Sequence, residues 1–128
     1  MAKPTFRIED AARFLRCAPE AGAIAAALTR NCPYVLEVEE PAGSVVPYHS
    51  HPQEETVVVF DGVLRFNVEE KLTLVEGGQM IVIRESAVHA CASVGDRPAR
   101  LLVALSGAPR PAGQGAEQER EEGLSGNA

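Results

Sequence analysis

The sequence predicts a mainly β domain, an antiparallel sandwich or barrel preceded by a short helical or extended N-terminal segment. Three observations carry that expectation. From Tyr34 to Ser106, short apolar runs alternate with turn residues at near-regular spacing, the signature of several short antiparallel strands. Asp61-Gly62 lies between two valine-rich runs, a strong turn signal. The apolar inventory is rich in Val, Leu and Ile but has four Phe, two Tyr and no Trp, which suits strands in the middle of the chain. At 128 residues and 45% hydrophobic content, the chain supports one core and leaves no room for a second.

Residues 5–16, TFRIEDAARFLR, read as a short strand followed by a helical turn. The stretch APEAGAIAAALTR reads as helix by propensity, while its run 23–29 is also open to a strand, because a continuous small-apolar run has no diagnostic period. Residues 1–33 are therefore expected to form a segment that packs on the barrel or on a partner subunit. The barrel, residues 34–106, contains the runs YVLEVEE, ETVVVF, VLRFNVE, KLTLV, QMIVI, AVHACASV and ARLLVALS. A two-residue turn at Asp61-Gly62 would set Glu55 opposite Val68, Val57 opposite Phe66 and Val59 opposite Leu64, giving one apolar face around a carboxylate. The opposite face, with Val58, Phe60 and Val63, would need a cover from the N-terminal segment or a partner, so a homodimer is expected. Residues 107–128 hold one large apolar residue, Leu124, and read as a disordered tail or a peptide that orders on a partner subunit.

Acidic residues outnumber basic ones 18 to 12, and the basic residues form no stripe, which argues against nucleic acid or an anionic membrane as partner. No stretch approaches the length of a transmembrane span, and the N-terminus lacks the apolar core of a signal peptide. Cys17, Cys32 and Cys91 are odd in number and widely spaced, so reduced thiols and a cytoplasmic location are expected.

Two of the three histidines, His49 and His51, are separated by one residue, with Glu55 four residues further on. In a strand both imidazoles project to one side, and Glu55 shares it if the alternation survives Pro52. A carboxylate on an apolar face costs several kcal/mol unless it is paired, protonated or bound to a metal. His89 lies in another candidate strand. Three histidines and one carboxylate suit a first-row transition metal and leave up to two positions for water, substrate or dioxygen.

At this spacing the chain resembles the cupin superfamily, and the small single-domain members in particular. The first cupin motif, Gly-x5-His-x-His-x3–4-Glu-x6-Gly, is met by Gly43, His49, His51, Glu55 and Gly62 without departure. The second, Gly-x5-Pro-x-Gly-x2-His-x3-Asn, retains Gly78 and His89 but has Arg84, Ser86 and Ser93 at the proline, second glycine and asparagine positions. The losses touch a turn and a structural polar residue and spare the ligand.

The resemblance implies a double-stranded β-helix or jelly-roll-like barrel and a homodimer. It also implies a divalent transition metal (Fe, Mn, Ni, Zn or Cu) held by His49, His51, Glu55 and His89. Tyr48, Gln53, Val57, Phe66 and Cys91 are candidate pocket residues, with Cys91 most simply a small core residue and Arg84 a solvated turn residue. The leading expectation is a metal-dependent enzyme acting on a small molecule, of dioxygenase type or a Lewis-acid isomerase, decarboxylase or lyase, with Glu55 as catalytic base. The competing expectation is a non-catalytic metal-dependent binding protein or sensor.

Overall fold

The structure, a computed structural model, describes residues 4–106; the segment read as a tail lies outside the described residues. The chain runs β1 (Phe6–Asp10), α1 (Ala11–Leu15), α2 (Ala21–Thr29), β2 (Tyr34–Glu40), β3 (Val45–His49), β4 (Glu55–Asp61), β5 (Val63–Val68), β6 (Lys71–Glu76), β7 (Gln79–Ile83), β8 (His89–Ser93) and β9 (Ala99–Leu105). The strands form two antiparallel sheets, one ordered β1-β7-β4-β9-β2 and the other β3-β8-β5-β6. The fold is thus the mainly β sandwich that the strand spacing predicts. Among the described residues no helix is long and apolar enough to cross a membrane.

One expected pairing is overturned. β4 pairs with β7 and β9, whereas β5 pairs with β6 and β8, so Asp61-Gly62 does not close a hairpin and Glu55 faces Ile83 and Leu105 rather than Val68. The pair instead marks the corner where the chain leaves one sheet for the other. The register of β4 against β9 shifts between Val59 and Asp61, bending the strand out of its sheet. Gly62 takes φ 82°, and a Cβ there would lie 2.7 Å from the Ala99 Cα and 2.8 Å from the Pro98 carbonyl oxygen, so only glycine fits the corner. The physical reason lies in β4 itself, which is buried along Glu55–Val59 and therefore needs a neighbour on each side and cover on both faces.

The apolar face read from the sequence survives in another form. Val57, Val59, Leu64, Phe66 and Val68 share one core with Ile81, Ile83, Leu101 and Val103, meeting across the sandwich instead of along a hairpin. Each such burial is worth about 1.5–3 kcal/mol against exposure.

The opposite face of the five-stranded sheet is covered by the chain's own helices. Ala11, Ile24 and Leu28 pack on Val58, Met80, Val82, Leu102 and Ala104, and Phe60 packs at the margin of this cluster. The Ala-rich run is helix, as propensity favours, and Asp10 caps the preceding α1 by accepting from the Arg13 N–H at 3.0 Å. Val58 and Phe60 therefore need no partner subunit to cover them. Val63, half-buried, stands on β5 in the other sheet.

Candidate metal centre

The four side chains singled out by spacing converge at one end of the sandwich. His49 ends β3, His51 lies in the loop beyond it, Glu55 begins β4 and His89 begins β8 as the register partner of His49. A bulge between Val46 and His49 inserts one residue into β3 against β8. Without it, strand alternation from the inward Val46 would turn Tyr48 into the core and His49 out. With it, Tyr48 is 59% exposed and His49 turns inward. Parity within one strand thus does not explain the pair, because His51 is past the end of β3. Its loop is held instead by the Ser86 N–H, which donates to the His51 carbonyl oxygen at 2.9 Å.

All three imidazoles are oriented by main chain. Nδ1 of His49, His51 and His89 lies 2.9, 3.0 and 2.9 Å from the carbonyl oxygens of Pro47, Gln53 and Ala87. A carbonyl only accepts, so each Nδ1 carries the proton and each Nε2 presents a lone pair. The three rings have centroids 4.3–5.6 Å apart, and one ligand atom from each residue of the group, with an oxygen of Glu55, falls within 4.8 Å of all the others.

This donor set fits a metal on its own chemistry. Glu55 Oε1 lies 2.8 Å from His51 Nε2 and 3.1 Å from His89 Nε2, while the buried His49 Nε2 has no hydrogen-bond partner among the described residues. A second proton on His51 and on His89 would satisfy those two contacts and leave His49 Nε2 orphaned. One cation satisfies all four atoms. Burial, the largest influence, opposes charge on Glu55, which is 1% exposed, but donation from a doubly protonated His51 and His89 outweighs it and holds the carboxyl down at about 2; with neutral rings that role falls to a cation. Burial also lowers the pKa of His49, favouring the neutral, ligating form.

Beside the group lies a cavity of about 10 Å³, room for one water, lined by Glu40, His49, Glu55, Val57, Phe66, His89, Cys91, Leu101 and Val103. Val57, Phe66 and Cys91 of the expected pocket are in that lining. Tyr48 and Gln53 are not, and Gln53 contributes its carbonyl to His51. The Cys91 thiol is pushed up to about 12, first by burial and then by the charges of Glu55 and Glu40, which makes it a neutral wall residue. Arg84 lies outside this lining. Sequence reasoning passed over Glu40, although the alternation of YVLEVEE puts it on the same side of β2 as Val38, which packs on the core.

The comparisons agree with this fold. The cupin domain pattern matches residues 36–105, more than half of the chain. The chain belongs to the cupin domain family. No curated protein matches the cupin chain as a relative. Among solved structures, it is similar to a conserved protein of unknown function from Streptococcus pyogenes, with a TM-score of 0.53 and 23% identity over 59% of this chain and 65% of that one. A protein described as a predicted oxalate decarboxylase from Thermotoga maritima gives 0.56 and 18%, over 63% and 71%. The DMSP lyase DddQ from Ruegeria pomeroyi gives 0.54 and 29%, over 61% and 40%. This cupin therefore spans less than two thirds of the Streptococcus protein and less than half of the lyase.

Proposed function

We propose that this cupin binds one divalent transition metal through His49, His51, Glu55 and His89 and is a metal-dependent enzyme acting on a small organic molecule. The observation that carries the reading is the convergence within 4.8 Å of four acceptor atoms, one of them the buried His49 Nε2, which has no hydrogen-bond partner among the described residues. When bound, the metal would supply Lewis acidity or a site for dioxygen. The chain's own residues do the rest: His49, His51 and His89 stay fixed by their main-chain bonds, and the ionised Glu55, met at Oε1 by His51 and His89, is the group that takes a proton from the substrate as base. Val57, Phe66, Leu101 and Val103 exclude bulk water from the cavity. The similarity to a protein described as an oxalate decarboxylase and to a lyase supports carbon–carbon or elimination chemistry as readily as dioxygenation. We place the protein in the cytoplasm as a homodimer, on its reduced-thiol composition and the family resemblance.

The small cavity favours a second reading, a metal-dependent binding protein or sensor. Elemental analysis of untagged protein, purified without a nickel column, tests the first beside His49→Ala. Near-stoichiometric iron or manganese, lost in the variant, supports the metal site; equal traces in both would refute it. A spectral change of the loaded protein with dioxygen or small anions then favours the enzyme over the closed binding site.

A further inference from the structure

The cavity beside the metal group holds a second carboxylate that the metal reading does not use. Glu40, the last residue of β2, is 6% exposed and lines the same cavity as His49, Glu55 and His89. The Ser44 hydroxyl donates to its Oε1 at 3.0 Å, and among the described residues lining the cavity there is no Lys or Arg to neutralise it. A buried carboxylate is among the costliest groups to keep unless a donor or cation meets it. Apart from the two carboxylates, His49 and His89, the lining is Val57, Phe66, Leu101, Val103 and Cys91, so complementary polarity for Glu40 has to come from whatever enters. At about 10 Å³ the enclosed space takes one water-sized group, such as the hydroxyl or ammonium end of a small molecule.

Resting on the metal reading above, we propose that Glu40 is a substrate-positioning residue: it accepts a hydrogen bond from a hydroxyl or ammonium donor of a small neutral or cationic substrate at the metal group. By the same charge it turns anionic groups away. This narrows the substrate class and disfavours an anionic group next to Glu40, because the lining holds no Lys or Arg side chain to offset its charge.

The test uses full-length protein loaded with cobalt(II), titrated with azide and with hydroxylamine and followed by visible absorption. Azide probes an anion whose end atom would reach the space, and hydroxylamine a smaller, neutral O–H and N–H donor. Removing one nearby charge at low effective dielectric should tighten azide about tenfold or more in Glu40→Gln and Glu40→Ala. Hydroxylamine should weaken about tenfold in Glu40→Ala, and Glu40→Asp should keep the wild-type preference. A merely structural role would change cobalt uptake or melting temperature without moving the two probes in opposite directions. Unchanged affinities with full cobalt occupancy would overturn the role of Glu40 and leave the metal site standing. Failure of the wild type to take up cobalt would overturn both. If Glu40→Gln does not fold, Glu40→Ala carries the same comparison.

Discussion

The two faces of β4 share a backbone and differ in what they are built for. Toward the sandwich interior, Glu55 meets two imidazoles at 2.8 and 3.1 Å beside a cavity that holds about one water, 10 Å³. Toward the helices, Glu54 and Thr56 line a groove of about 240 Å³, with Leu28, Met80, Val82 and Cys32 among its other walls. The larger space carries the weaker chemistry. Its walls come from the two helices and the sheet they cover, whereas the smaller one is crowded because strands from both sheets aim polar atoms into it. Cavity size is a poor guide to function here; convergence of acceptors is a good one.

The largest expected effect separates the faces outright. His51→Ala or Glu55→Gln should reduce bound metal after dialysis from near one per chain to below roughly a tenth, since a four-ligand site loses affinity steeply with one ligand. Chelation of the wild type should lower the melting temperature by roughly 10 °C or more, the size expected when a ligand well above its Kd is withdrawn. Full metal retention in both variants, measured by elemental analysis, would reject the inner face as the metal centre.

Next comes the outer face. Met80 is 2% exposed among Ala11, Ile24, Leu28 and Val58. Met80→Ala should cost about 2–5 kcal/mol in denaturant unfolding, with metal stoichiometry unchanged in the folded protein. If metal is lost in proportion, the faces are coupled and the contrast drawn above is wrong.

The inner face also predicts a dependence on alkaline pH. The folded Cys91 thiol titrates at about 12, above its ordinary value of 9.0. A raised pKa means that the stabilisation from keeping the thiol neutral is complete below pH 9 and is lost as pH climbs from 9 toward 12. Thermal melts of wild type and Cys91→Ala at pH 7, 9 and 11 isolate that contribution: the wild type should lose more stability across the series. Parallel curves would show that Cys91 is exposed to solvent in the native state.

How much of this was legible in the sequence depends on how local the cause is. The glycines of both motifs were readable because their roles are local: Gly43, Gly62 and Gly78 take φ of 85°, 82° and 88°. The four side chains that converge, His49, His51, Glu55 and His89, were readable as a group because their spacing is tied to strand ends. Strand pairing was not, since a turn signal such as Asp61-Gly62 fits a hairpin and a sheet-switching corner equally well and the outcome is decided by distant strands. Neither was the bulge in β3, which makes Tyr48 an outward residue. Ser86 shows the local rule from the other side. It stands where the family motif has glycine and holds φ 66°, so the backbone keeps the left-handed turn without the residue that suits it. Ser86→Gly should therefore stabilise the protein by about 1 kcal/mol. A loss of stability would mean that the side chain, and not the backbone, secures the loop that presents His51.

The smallest expected effect gives the sharpest test of the two-face contrast, because it concerns neighbours in sequence. Thr56 follows Glu55, is 8% exposed, and faces the groove beneath the helices. Thr56→Val keeps the shape and removes one hydroxyl, so denaturant unfolding should shift by no more than about 1 kcal/mol. Metal content should stay at the wild-type value, in contrast to Glu55→Gln one residue earlier. Alternation along an extended strand is what makes adjacent side chains answer to different environments. A Thr56→Val protein that loses its metal would show that the outer face transmits strain through β4 into the ligand set, and the backbone of β4 would then belong to the site as much as the side chains do.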